Sequence, residues 1–169
     1  RHGAGFGSGE EGAGELIRAR DPAAYWRASP TGTPMTATPA TDGIVLRPAQ
    51  RDDVPIILAF IRELAVFEKL EHEAIATPAL MEQALFGERP AAEVVIAEAD
   101  GQPAGFVPFF TTVSTFVGLP GLYLEDLFVR PAFRKRGIAT TLMRHLARTA
   151  VERGYGRFEW SVLDWNEPA

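Results

Sequence analysis

From residue 44 onward the apolar positions alternate between a period of two and a period near 3.6, and this alternation lays out the predicted elements. Ile44-Val45-Leu46-Arg47-Pro48 spells a short strand closed by proline. Asp52 or Asp53 can cap a following helix, Pro55 is tolerated in its first turn, and Ile57, Phe60, Ile61, Leu64 and Phe67 recur at helical spacing, with the far end in residues 67–71. Thr77-Pro78 opens a second helix with Leu80, Ala84 and Leu85 on one face, and Gly87 suits a left-handed stop. Val94-Val95-Ile96-Ala97 and the apolar run 104–113 flank Asp100-Gly101, which predicts a hairpin. Pro108 lacks a ladder donor, so a bulge or local unpairing is expected there. Residues 122–129 read as one further strand ended by Pro131. Residues 137–153 read as a helix with Ile138, Leu142, Leu146 and Ala150 four apart, stopped by Gly154, and 157–162 as a last strand. The order β-α-α-β-β-β-α-β is that of a mixed α/β domain, and no internal repeat is visible.

Residues 1–43 have a different texture, rich in Gly, Ala, Pro and Thr with scattered apolar residues, and cannot bury a core. They are expected to be a disordered extension. Met35, just before the first strand, is a candidate true start, and a genuine low-complexity tail is the equal alternative. The domain is expected to span 44–169. A chain of 169 residues, 46% hydrophobic and 23% charged, is enough for one core. It contains no cysteine, which removes disulfides, thiolate zinc sites and cysteine nucleophiles and makes the cytoplasm the default compartment. No window approaches the roughly 18 consecutive apolar residues of a membrane span, and no basic-then-apolar leader pattern opens the chain, so neither spanning nor export is expected. A net charge of −5 argues against general nucleic-acid binding and fits a cationic partner. His2, His72 and His145 fall in no metal or triad spacing, so no metal is expected.

Two segments carry candidate chemistry. Leu122-Tyr123-Leu124-Glu125-Asp126-Leu127-Phe128-Val129 is an apolar strand with adjacent carboxylates at its centre. Neighbouring strand residues face opposite sides, so at least one carboxylate points toward a core or a cleft. A structural ion pair or solvent-facing bulge and a carboxylate held over a cleft both satisfy that pattern. The second segment, Arg134-Lys135-Arg136-Gly137-Ile138-Ala139-Thr140, is a basic, glycine-containing turn opening a long helix. Helix-terminal N–H groups and the helix dipole make such a turn a phosphate site in outline, although a solvated cap has the same composition. It is neither a Walker loop nor a GxGxxG fingerprint.

Arg134, Gly137 and Ala139 match Gln/Arg-x-x-Gly-x-Gly/Ala, the acetyl-CoA signature of the GNAT superfamily, and the chain resembles that superfamily. It is similar to the diamine acetyltransferase branch at residues 44–49, Glu63-Leu64-Ala65, residues 67–71, residues 122–129 and Trp165-Asn166-Glu167-Pro168. The resemblance implies a mixed α/β GNAT acyl-CoA N-acyltransferase fold over 44–169, without the family's last helix and strands. It implies acetyl transfer from acetyl-CoA to a primary amine of a small polyamine, diamine or thialysine-like acceptor. The pantetheine arm would lie along Leu127, Phe128 and Val129, and the pyrophosphate at Arg134, Lys135, Arg136, Gly137, Ile138, Ala139 and Thr140. Asn166, Glu167, Pro168 and Ala169 would add cofactor contacts. The acceptor would meet Phe67, Glu68, Glu125, Glu159, Trp160 and Ser161, with Glu68, Glu125 and Glu159 forming an acidic lining.

A primary ammonium titrates near 10.4, so a base must take a proton before the amine attacks; the resemblance gives this role to Glu125, through water. The tyrosine that the family places beyond the Asn-Glu-Pro run, as acid for the leaving thiolate, is absent from the chain. A homodimer is implied as well. Two other classes compete: a non-catalytic acyl-CoA-binding or dimer-forming module, and a nucleic-acid contact through Arg134, Lys135 and Arg136, which the acidic total disfavours.

Overall fold

The computed structural model describes residues 43–162. Its strands are β1 (Ile44–Pro48), β2 (Glu93–Ala99), β3 (Gln102–Val113), β4 (Pro120–Leu124), β5 (Phe128–Val129) and β6 (Phe158–Trp160). Its α-helices are α1 (Val54–Glu68), α2 (Pro78–Phe86) and α3 (Ile138–Glu152). The sheet runs β1-β2-β3-β4-β6, with β5 also on β3, and every pairing is antiparallel except β4 with β6. This is the mixed α/β architecture expected.

Both sheet faces are covered, which explains why β2 reads as an unbroken apolar run. Val95 and Ala97 join Val107, Leu122 and Leu124 beneath Ile138, Leu142 and Leu146 of α3. Val94 and Ile96 join Phe106 and Phe128 beneath Ile57, Phe60 and Leu64 of α1 and Leu85 of α2. Arg130, just past β5, clamps α1 to this layer: its guanidinium meets the Glu63 carboxylate at 2.6–3.1 Å and lies 4.7 Å from the Phe60 ring centroid.

Several local expectations are corrected. The expected strand 122–129 is two strands. β4 pairs with Phe109–Val113 and β5 with Gly105 and Phe106, and between them residues 125–127 leave the ladder, keeping only the Glu125 N–H bond to the Pro108 carbonyl at 3.0 Å. Because the N and C=O of one strand residue point to the same side, the donor that Pro108 lacks faces this gap. The proline therefore marks where β4 and β5 part. It stays in register opposite Val94 on its other side, and the register shift between β2 and β3 lies at Ala97/Glu98 instead. Gly87 ends α2 in an extended conformation (φ −71°, ψ −176°), whereas the left-handed stop belongs to Lys69 after α1 (φ 61°). Asp53 occupies the cap position of α1, yet its carboxylate accepts from Gln50 N–H at 2.7 Å and pairs with Arg47 instead of capping the helix.

Candidate active site

The parting of β4 and β5 holds two adjacent carboxylates, Glu125 and Asp126. On the α1/α2 face a cleft of about 280 Å³ opens, walled by Ile57, Ile61, Met81, Phe106, Pro108 and Phe110, and Glu125 and Asp126 supply its charged lining. Glu125 is exposed and Asp126 half-buried. Burial, then the charges of Glu125 and Glu68, push the Asp126 carboxyl up to about 6. Burial also raises Glu68, at the end of α1. A buried carboxyl whose ionisation two neighbouring carboxylates oppose invites a cation.

The basic turn follows β5 directly. After the 3₁₀ turn Pro131–Phe133, Arg134 is extended, Lys135 is left-handed (φ 61°), and Gly137 takes φ 80°, the conformation that only glycine adopts without strain. Apart from its own chain neighbours, nothing crowds the place where a Gly137 Cβ would sit. The N–H groups of the first turn of α3, from Ile138 to Thr140, have no acceptor within the helix and converge on that space. A pyrophosphate fits these donors.

The three basic side chains are not equivalent. Arg136 pairs with Asp100 at the β2–β3 turn, 2.7 and 3.0 Å away. Arg134 donates from Nε to the Val129 carbonyl at 3.0 Å, and its guanidinium lies 5.0 Å from the Phe67 ring centroid. Lys135 is exposed at the mouth. Arg134 thus links the expected cofactor turn to an expected acceptor residue. Backbone at Leu127, Phe128 and Val129 borders the gap, and Gly105 lets β5 come close, since a Cβ there would lie 2.6 Å from the Phe128 carbonyl oxygen.

Of the expected acceptor residues Glu125 lines the cleft, while Phe67 and Glu68 at the end of α1 do not, Phe67 lying under Arg134 and Glu68 bearing on Asp126 through its charge; the β6 residues divide. Glu159 sits opposite Tyr123, whose ring packs 5.2 Å from that of Phe110, so its face continues from the cleft. Its carboxylate lies 2.7 Å from Arg157 Nε, off the hydrogen-bonding direction, and this ion pair takes it out of the expected acidic lining. Ser161 Oγ bonds the Tyr123 hydroxyl at 2.7 Å. Trp160 is on the opposite face, packed with Phe158 against the α3 core, and is a correction to the expected acceptor wall. Asn166, Glu167, Pro168 and Ala169 lie outside the described residues. The residue that sequence reasoning missed is Asp126, together with the apolar walls Met81, Pro108 and Phe110. The adjacent carboxylates were the available signal, but alternation cannot choose between them where the strand breaks.

Comparison with known proteins matches residues 58–169 to the acetyltransferase (GNAT) family. The chain is 39% identical over 118 residues to thialysine N-epsilon-acetyltransferase of Caenorhabditis elegans, covering 70% of this chain and 72% of that protein. It is 31% identical to an L-ornithine N5-acetyltransferase of Arabidopsis thaliana, covering 82% and 77%. An aminoglycoside acetyltransferase from an uncultured soil sample, solved with sisomicin, shares the fold with a TM-score of 0.65 at 15% identity, over 75% of this chain and 82% of that one.

Proposed function

The chain belongs to the GNAT acetyltransferase family and is an acetyl-CoA-dependent N-acetyltransferase; on that premise we propose that its acceptor is the primary amine of a small aliphatic molecule of the thialysine, ornithine or diamine kind. The observation that carries this reading is the placement of Glu125 and Asp126 at the break between β4 and β5, inside the cleft, with the N-terminus of α3 following after β5, the 3₁₀ turn and the basic turn. The first-turn N–H groups of α3, with Lys135 and Arg134, hold the pyrophosphate, and the backbone of residues 127–129 takes the pantetheine arm.

Glu125, exposed to water, accepts a proton from the ammonium through a water molecule. The neutral nitrogen then attacks the thioester carbonyl; the new C–N bond forms, the C–S bond breaks with its electron pair leaving on sulfur, and the second proton shed by the nitrogen as it becomes an amide passes to the thiolate or to water. A thiol titrates near 8.5, so the thiolate departs with little help from an acid. Asp126 and Glu68 keep the site attractive to the incoming cation.

A cytoplasmic setting is part of this reading as the default, since a chain with no cysteine has no need of an oxidising compartment. No helix among the described residues is long and apolar enough to cross a membrane. The exposed apolar run Val113, Phe116, Val117 and Leu119 at the β3–β4 turn supports a homodimer.

Thiol release from acetyl-CoA, measured against thialysine, ornithine, lysine, putrescine and spermidine, tests the reading. Glu125→Gln is expected to lower kcat by roughly 10²- to 10⁴-fold with acetyl-CoA binding retained. Acetyl-CoA binding without turnover of any amine would replace the enzyme by a binding module.

A further inference from the structure

Resting on that acyl-transfer reading, we propose that the Arg157–Glu159 pair receives the α-amino-acid end of the acceptor, its carboxylate on Arg157 and its α-ammonium on Glu159, while the terminal amine reaches Glu125. The pair belongs to the cleft face of the sheet. Glu159 stands opposite Tyr123, Arg157 is two residues before it and faces the same side, and the Tyr123 ring packs 5.2 Å from that of Phe110, a wall of the cleft. Glu125 lies two residues beyond Tyr123 and one strand from Glu159, with its N–H still bonded to the Pro108 carbonyl at 3.0 Å. A rise of about 3.3 Å per residue and a strand spacing of ~4.8 Å put the backbones of Glu125 and Glu159 about 8 Å apart, a distance that a short aminoalkyl side chain spans between two binding groups.

The Arg157 guanidinium is held in place but poorly satisfied. Its stem is seated over Gly121, where a Cβ would come within 2.6 Å of the Arg157 Cγ, and the side chains of Arg157 and Glu159 remain 34% and 18% exposed. Among the described residues its Nη2 makes only long bonds, 3.3 Å to Thr112 Oγ1 and to the Val113 carbonyl, and its buried Nε lies 2.7 Å from Glu159 without donating to it. A guanidinium has five donors and is best matched by a carboxylate that takes two of them. The pair as a whole is neutral and dipolar, and an α-amino-acid end is its complement, carboxylate to guanidinium and ammonium to carboxylate. A diamine brings a second ammonium instead, which must share Glu159 with the Arg157 cation and is repelled by it. The pair thus separates amino acids from diamines of the same reach.

The test compares ornithine with putrescine and lysine with cadaverine, pairs that differ by the α-carboxylate, both as acceptors and, by calorimetry, as ligands of the CoA-loaded chain. The amino acid of each pair is expected to have the higher kcat/KM by about tenfold or more, the conversion of roughly 1.5 kcal/mol for a hydrogen bond to a charged group at ~1.36 kcal/mol per tenfold. Arg157→Met keeps a stem over Gly121 and removes the charge. It is expected to raise KM for ornithine and lower it for putrescine, since Glu159 is then free for the second ammonium; opposite changes in one variant do not come from a damaged fold. Glu159→Gln is expected to raise KM for ornithine more than for δ-aminovalerate, which lacks the α-ammonium. A diamine that equals or exceeds its amino acid in the unsubstituted chain, or an Arg157→Met chain whose two KM values move together, overturns the proposal and leaves the acyl-transfer reading standing. If no amine is acetylated but ornithine binds more tightly than putrescine and Arg157→Met abolishes the difference, the acyl-transfer reading fails and the amino-acid site stands.

Discussion

Replacing Asp126 by asparagine is expected to stabilise the fold at neutral pH while weakening the site. In the unfolded chain this carboxyl titrates near 3.8, and in the folded protein near 6, chiefly because burial opposes its charge and then because Glu125 and Glu68 repel it. Between those two values the folded state holds a proton that the unfolded state has released. Raising the pH through the window therefore removes stability, and above about 6 the full penalty is present. At ~1.36 kcal/mol per tenfold change in proton affinity, the interval corresponds to about 3 kcal/mol, an upper figure because one side of the carboxylate faces an open cleft. Asparagine keeps the shape and removes the charge. Urea unfolding of both proteins at several pH values between 4 and 8, with one curve subtracted from the other, cancels every other titrating group. The difference should be small near pH 4, grow through pH 6 and level off above it in favour of Asp126→Asn. Adding Glu68→Gln should shrink the growth. A pH-independent difference, or a wild-type chain that is the more stable at pH 8, would refute the electrostatic account. The same substitution should raise KM for a cationic amine, since a stabilising change that removes a cation's partner works against function.

Other changes probe the scaffold around the cleft. Gly105→Ala drives a Cβ toward the Phe128 carbonyl at 2.6 Å and should cost about 1–3 kcal/mol by prising β5 from β3, read as a lower urea midpoint, with acetyl-CoA affinity falling too. Arg134→Met removes both the bond to the Val129 carbonyl and the cation over Phe67, so steady-state kinetics should show KM rising for acetyl-CoA and amine together, by roughly tenfold for a lost charged hydrogen bond. Leu142→Ala, fully buried under the sheet, should lose about 2–5 kcal/mol in thermal or urea unfolding, whereas KM for acetyl-CoA measured below the transition should hold.

The regular elements were legible because their patterns follow from burial. β2 reads as an unbroken apolar run since helices cover both of its faces, and α3 reads cleanly since Ile138, Leu142, Leu146 and Ala150 form its buried stripe. The glycines at 137 and 154 punctuate α3 through positive φ, a property of the residue itself. Where the reading missed, a long-range contact decided the outcome. Glu159 was expected in the acidic lining, but it pairs with Arg157, and Trp160 turns to the opposite face because alternation along β6 forces it there. The strand 122–129 shows the same limit more sharply. Its eight residues are strand-like in composition, and only the partner strand reveals that Pro108 withholds a donor at the point of contact. That same point is where Glu125 and Asp126 fall. Continued regular pairing would have set one of the two carboxylates beneath α3 in an apolar layer, a burial that no nearby cation offsets. Parting the strands relieves that conflict by taking both residues out of the ladder, and it leaves a gap with charge at its edge. The local violation of strand patterning and the proposed site are therefore one feature: the break that keeps adjacent carboxylates out of the core also opens the sheet at the place proposed for acyl donor and amine.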